Sequence, residues 1–318
     1  MFTQILILLA GLLLILAGAN YLVDGSSSVA RKSGISEFII GLTIVGIGTS
    51  TPEMVVSFIS SYQGNADMAI GNVVGSNIFN TMLILGVTAL IMPLKITRST
   101  LRRDIPMNII ATMMLIIMGL NYTIFGIGDD TVSRMDGIIL LAVFAYYLYL
   151  SFKNDAGVSQ EEEEAKTYST LLSIVMIVGG LAGLIVGGRL FVNSASEIAR
   201  LCKVPDAFIA ITVMAGGTSL PELATCVVAA AKKRGQLALG NIIGSNISNI
   251  LLIIGGAAIL RPLQVKGITP IDFGVMLLSA IMILASAYLF KKKELDRVEG
   301  VILLLVWAGY MAGLITSL

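Results

Sequence analysis

The sequence predicts an all-α polytopic membrane protein, with ten transmembrane helices arranged as two inverted five-helix repeats. Three observations carry that expectation. Only 13% of the 318 residues are charged and 56% are hydrophobic, about half the charged share of an ordinary soluble domain. Apolar runs of roughly 20 residues, the length that crosses a hydrocarbon core as a helix, recur along the whole chain. The second half also repeats the first at one constant offset.

Cut at its charged and Pro/Gly-rich breaks, the chain divides into apolar spans at 2–23, 37–60, 68–92, 105–121, 135–152, 170–193, 207–231, 237–260, 271–290 and 299–317. The first lacks a basic leading segment and is longer than the roughly 7–15 apolar residues of a secretory leader, so it reads as the first transmembrane helix. Five spans fall on each side of the polar stretch from Lys153 to Thr167. The expected organisation is therefore a first repeat over 1–152, a cytoplasmic acidic linker over 153–169 and a second, inverted repeat over 170–318.

Lys and Arg set the orientation. Loops on one side hold 15 of the 21, among them Arg31, Lys32, Lys95, Arg98, Lys153, Lys232, Arg234 and Lys293. The other side holds 5: Arg134, Arg200, Lys203, Arg261 and Lys266. The richer side is expected to be cytoplasmic, which places both termini outside a cell membrane that the chain crosses many times.

Composition also excludes whole classes of function. The net charge of +1 gives no nucleic-acid footprint. With no His in the chain, His-ligated zinc and His-based triads are out. Two cysteines, Cys202 and Cys226, make no disulfide framework. A soluble enzyme is not expected, and no cofactor is called for.

The repeat is legible in the motifs. Gly71–Asn77 reads GNVVGSN and Gly240–Asn246 reads GNIIGSN, an offset of 169. The same offset carries Thr49-Ser50 onto Thr218-Ser219, Pro52-Glu53 onto Pro221-Glu222, Asn80 onto Asn249 and Gly18 onto Gly187. An odd number of spans per copy forces the second copy upside down in the membrane. Such repeats recur in transporters, with the binding site at the midplane between the halves.

Nearly every acidic residue sits in a loop or at a span end. Glu53 and Glu222 do not. A charge at the bilayer centre costs about 2.5–3.5 kcal/mol on insertion scales, and carrying that cost twice at equivalent positions marks a functional site. Each Glu ends a GTSTPE or GTSLPE run (Gly48–Glu53, Gly217–Glu222). Proline has no amide hydrogen and pushes its predecessor out of helical geometry, so each span is expected to break near Thr49–Pro52 or Thr218–Pro221. The break frees carbonyls around Gly46–Thr49 and Ala215–Thr218, backbone that membrane depth tolerates only inside protein or beside water. A GSN-x-x-N element follows in each half. It sets Ser76 above Asn80, and Ser245 above Asn249, on one helix face. Carboxylates, hydroxyls, amide oxygens and carbonyls are hard donors that suit Ca²⁺, and Na⁺ accepts them too. Two ionised glutamates balance one Ca²⁺ or two or more Na⁺.

The paired GTSTPE and GTSLPE motifs, each followed by GN-x-x-GSN-x-x-N, resemble the α-repeats of the cation/Ca²⁺ exchanger superfamily, and within it the prokaryotic Na⁺/Ca²⁺ exchanger branch. The resemblance spans nearly the whole chain. It implies that Glu53 and Glu222 are central ligands shared by Ca²⁺ and Na⁺. It adds ligands from Thr49, Ser50, Ser76, Thr218, Ser219 and Ser245 and from carbonyls near Gly46 and Ala215, with Asn80 and Asn249 lining the site. It further implies exchange of three Na⁺ for one Ca²⁺, with spans one and six sliding to alternate access. Asn249 stands where several relatives carry Asp, which argues against a K⁺ requirement, and Thr51 replaces a commoner Leu. Proton/Ca²⁺ exchange is the runner-up, and a cation channel is the reading from another class. The expected partners are the two ions and the lipid bilayer, with a monomer as the working state. Glu161–Glu164 reads as a solvated linker rather than a Ca²⁺ sensor, for it lacks EF-hand spacing.

Overall fold

The computed structural model describes residues 1–155, 166–202, 216–289 and 293–316. The helices are α1 (Phe2–Ser33), α2 (Glu37–Thr49), α3 (Thr51–Gln63), α4 (Ala66–Ile91), α5 (Ile105–Gly119), α6 (Asn121–Phe125), α7 (Arg134–Lys153) and α8 (Thr170–Leu201). They continue with α9 (Leu220–Ala231), α10 (Gly235–Leu260), α11 (Pro270–Leu289) and α12 (Arg297–Thr316). Among the described residues, seven are long and apolar enough to cross a membrane, and α2 with α3, bent by 48°, makes an eighth if counted as one span. Of the remaining expected spans, 105–121 corresponds to the 15-residue α5. The 12-residue α9 covers only the downstream part of 207–231, because residues 203–215 lie outside the described set, as does the Glu161–Glu164 run.

The span that contains Pro52 breaks where its sequence says it should. Ser50 leaves helical geometry, with ψ at 9°, and Pro52 sits in the first turn of α3, the position where its missing N–H costs nothing. Upstream, residues Gly41–Val45 of α2 form a wide π-helical turn. Matching π turns interrupt α4 at Phe79–Ile84 and α10 at Asn249–Ile254. Such turns shift the helical register and cluster at functional sites.

Helices α1 and α8 outrun their apolar stretches. Each has 32 residues, or about 48 Å at 1.5 Å per residue, against a hydrocarbon core of about 30 Å. Part of the polar end of α1 is covered by the start of α8: Ser26, Ser27 and Ser28 are buried, and Ser173 Oγ donates to Ser28 Oγ at 2.9 Å. The two run antiparallel at backbone contact. A Cβ on Gly18 would lie 2.7 Å from the Gly180 carbonyl, and one on Gly180 2.7 Å from the Gly18 carbonyl. Gly11 and Gly187 mirror this at 2.9 and 2.8 Å. Under the 169 offset Gly11 maps onto Gly180 and Gly18 onto Gly187, so the two close approaches are copies of each other.

Two short antiparallel ladders cross between the halves. β1 (Leu94–Lys95) pairs with β4 (Glu294–Leu295), and β2 (Thr131–Val132) with β3 (Leu263–Gln264). The loops gather into two sets. In one, Lys32 Nζ donates to Thr170 Oγ1, the Ser36 amide donates to the Asp155 carboxylate, Lys232 pairs with Asp24 at 2.7 Å, and Gln236 donates to the Lys95 carbonyl. Arg234, 3.5 Å from Glu37, belongs to the same set, so this basic cluster ties loops together. In the other set, the Asp67 carboxylate accepts the amides of Lys266 and Gly267. Enclosed between the sets, α10 is buried at every position from Leu237 to Ser248.

Candidate cation-binding site

Glu53 and Glu222 lie in the first turns of α3 and α9, and both are fully buried. The amide dipoles of a helix N-terminus favour a carboxylate by about 0.3–1 kcal/mol, up to about 2 when partly buried. Desolvation of an ion costs several kcal/mol, and the two carboxylates also repel each other. Local helix geometry therefore helps, but it does not by itself balance two buried anions.

The halves grip each other's carboxylate. Ser219 Oγ donates to Glu53 Oε1 at 2.9 Å, and Ser50 Oγ donates to Glu222 Oε1 at the same distance. Ser76 reaches Glu53 Oε1 at 3.5 Å. Thr49 Oγ1 approaches the Gly46 carbonyl at 3.4 Å and the Asn241 side-chain oxygen at 3.2 Å, and Ser245 Oγ donates to the same Gly46 carbonyl at 3.1 Å. The Gly46 carbonyl, expected to be freed by the break, still accepts the Ser50 amide at 3.2 Å and takes this hydroxyl from the opposite half as well. Thr51 Oγ1 turns back onto the Ile47 carbonyl, a local bond within the broken span.

Five buried oxygens at these positions have no hydrogen-bond partner among the described residues: Glu53 Oε2, Glu222 Oε2, Asn80 Oδ1, Asn249 Oδ1 and Thr218 Oγ1. An unmet buried acceptor costs about 1–3 kcal/mol, and more when charged. Four of the five form two symmetry-equivalent pairs, so they are a property of the repeat and not a local packing fault. Such oxygens suit a hard cation. Among the described residues no group of three or more His, Cys, Asp or Glu assembles, and the donor set combines two carboxylates with neutral oxygens. Ala215 lies outside the described residues.

The copied motifs contain functional residues that spacing alone does not assign. Asn72 Nδ2 donates to Ser57 Oγ and to the Glu53 carbonyl, while Asn241 Nδ2 donates to Cys226 Sγ. Ser57 donates to the Ala69 carbonyl and Cys226 to the Ala238 carbonyl. The Asn72–Ser57 and Ser57–Ala69 bonds map onto Asn241–Cys226 and Cys226–Ala238 under the 169 offset, so Cys226 holds a serine's place in the frame around Glu222. The retained identity of Asn72/Asn241 and Asn77/Asn246 between the copies was the available signal.

A cavity of about 670 Å³ lies beside the site, lined by Gly71, Gly75 and Phe79 of α4, Phe191 of α8, Gly216, Leu220 and, from α12, Trp307 and Tyr310. The copies of its glycines behave differently. Gly240 and Gly244 of α10 face the backbone of Phe38 and Leu42 too closely for any side chain, whereas a Cβ on Gly75 would meet nothing within 4 Å.

Helices throughout, broken spans and a buried oxygen-lined pair of carboxylates define an all-helical polytopic membrane protein of the transporter class. The chain belongs to the sodium/calcium exchanger protein family, whose model matches residues 3–153 and 172–316. The sodium/calcium exchanger MaX1 of Methanosarcina acetivorans is 32% identical over 340 residues, covering 96% of this chain and 97% of that protein. The inner membrane protein YrbG of Escherichia coli is 34% identical over 287 residues, covering 87% and 86%. A solved structure of the sodium-calcium exchanger NCX_Mj superposes with a TM-score of 0.84 at 31% identity, covering 98% of each chain. The chain is accordingly an exchanger-family antiporter and not an enzyme.

Proposed function

We propose that this protein exchanges Na⁺ for Ca²⁺ across the cell membrane, three Na⁺ for one Ca²⁺, by alternating access at a midplane site. The observation that carries the reading is the reciprocal grip on Glu53 and Glu222, beside five oxygens that have no partner among the described residues. Two carboxylates supply −2, which one Ca²⁺ cancels and which Na⁺ cancels in multiples. Two loads that compete for one ligand set, with an uncompensated site too costly to reorient, give coupled exchange. The ligands are Glu53, Glu222, Thr49, Ser50, Ser76, Thr218, Ser219 and Ser245, with the carbonyls of Gly46 and Ala215, and Asn80 and Asn249 line the site. Only two of these groups ionise, in keeping with independence from K⁺.

The architecture that serves this function is ten spans in two inverted repeats, 1–152 and 170–318, joined by a cytoplasmic linker over 153–169. Helices α1 and α8 slide along their glycine seam, and the 670 Å³ cavity is the approach from outside. Both termini face outward, and the monomer is the working unit.

Proteoliposomes loaded with Na⁺ and diluted into Na⁺-free buffer test the reading. Uptake of ⁴⁵Ca²⁺ is expected to follow the outward Na⁺ gradient and to quicken under an inside-positive potential, since three charges leave for two that enter. Uptake that follows only a pH gradient would move the assignment to proton exchange. Uncoupled currents would make the protein a channel.

A further inference from the structure

Four asparagines join α4 to α10 behind the carboxylates, and all four are buried. The orientations of two of them, Asn77 and Asn249, follow from a group that has no choice. The main-chain carbonyl of Asn246 can only accept, and Asn77 Nδ2 donates to it at 3.1 Å. That turns Asn77 Oδ1 toward Asn249, whose Nδ2 donates to it at 3.0 Å. With its nitrogen committed, Asn249 presents Oδ1 at the other end of its amide group, where that oxygen has no partner among the described residues. A second chain of bonds runs from the other half and ends on a different anchor, the Thr81 hydroxyl. Asn246 Nδ2 donates to Thr81 Oγ1 at 2.7 Å, its Oδ1 accepts from Asn80 Nδ2 at 3.2 Å, and Asn80 Oδ1 is left unpartnered among the described residues.

Simple fastening of two helices would be served best by saturating every amide group. Here the saturation stops one atom short, at the same atom of the same residue in each copy. Asn77 and Asn246 are satisfied at both ends, while Asn80 and Asn249, one turn beyond Ser76 and Ser245, each keep one oxygen free. We infer that Asn77 and Asn246 are positioning residues that aim the side-chain oxygens of Asn249 and Asn80 at the transported cation. Each acts across the interface between halves, so the orientation of a lining group in one repeat is set by the other. The inference rests on the cation-exchange reading of the site.

The test compares Asn246→Leu, which removes the accepting oxygen, with Asn246→Asp, which keeps one for Asn80 and lets the Thr81 hydroxyl donate to the other. Asn77→Leu is the companion. Two readouts apply to purified protein: Ca²⁺-dependent thermal stabilisation in detergent, and Na⁺-driven ⁴⁵Ca²⁺ uptake in proteoliposomes. Loss of one aimed ligand of about 1.4 kcal/mol is expected to raise the half-saturating Ca²⁺ about tenfold in both leucine variants, with the saturated rate within about threefold of the parent. Asn246→Asp is expected to stay within about threefold of the parent in half-saturation. Leucine variants that fold and bind Ca²⁺ like the parent would overturn the inference. Should Asn246→Leu not fold, Asn246→Ser takes its place, because its hydroxyl stops one bond short of the Asn80 amide; equal half-saturation in the Ser and Asp variants then overturns it. A parent protein that neither binds nor moves Ca²⁺ overturns the exchange reading itself, an outcome distinct from variants that match a working parent.

Discussion

Glu53 and Glu222 show how little of a site's energetics a single residue explains. Each has a helix N-terminus behind it and one serine from the opposite half. Hydrogen bonds to a charged group contribute about 1.5–3 kcal/mol each, which still falls short of desolvating two repelling anions. The balance is expected to come from the cation. Glu53→Gln and Glu222→Gln therefore keep the fold, with melting within a few degrees of the parent, and abolish exchange; near-parental ⁴⁵Ca²⁺ uptake in either would remove the central site. A second residue-scale expectation concerns Cys226. Serine occupies the matching position in the first half as Ser57, with the same two kinds of contact. Cys226→Ser is expected to change uptake by less than about twofold, because the swap is nearly isosteric and keeps both bonds. A loss of tenfold or more would assign the thiol a role of its own.

At the scale of the element, the pair α1 and α8 is the sharpest case. Their contact is main chain against main chain at Gly11, Gly18, Gly180 and Gly187, as close as helices approach when small residues line the seam. At these four glycines no side chain projects across the seam, while Leu14, Leu22 and Leu190 pack beside them. Gly18→Val places methyl groups where the Gly180 carbonyl stands, so the helices must separate, at a cost of about 1–3 kcal/mol or more. Lower melting and slower exchange are expected together. A valine variant with parental melting and uptake would mean that the two helices do not stay in contact. The broken span α2–α3 is the complementary case, because its bend depends on a proline and not on a partner. The bend places Ser50 across from Glu222 while Glu53 remains in the first turn of the next helix.

Across the whole molecule, the halves are linked by exchanges rather than by a single interface. Each ladder pairs a strand from one half with a strand from the other, each glutamate is held by the other half's serine, and each lining asparagine by the other half's amide. A movement in one repeat is thereby felt at the ligands of both. The loop sets also give an orientation test with a native reporter. Cys202 is exposed and Cys226 buried, so a membrane-impermeant maleimide is expected to label Cys202 in intact cells. In a Cys202→Ser background, Lys293→Cys is expected to react only after permeabilisation. The opposite pattern would invert the assigned topology.

Membrane residence, the run of apolar segments along the chain, the 169-residue repeat and the two glutamates placed inside apolar segments were all legible in the sequence itself. These are properties of chain order: the length of an apolar run, the placement of charge and the recurrence of a motif can be counted without a partner. The extra length of α1 and α8 was not legible, because hydropathy scores Ser26–Ser28 as polar and cannot see that another helix covers them. Nor was the wiring of the site. Spacing places Ser76 above Asn80 on one face, but whether Ser50 serves Glu53 or Glu222, and which amide oxygens stay free, depends on residues about 170 positions apart meeting across antiparallel helices. Only the tertiary structure decided that, since a buried hydrogen bond is chosen by which donors and acceptors packing brings within 3 Å, and packing is absent from the order of the residues.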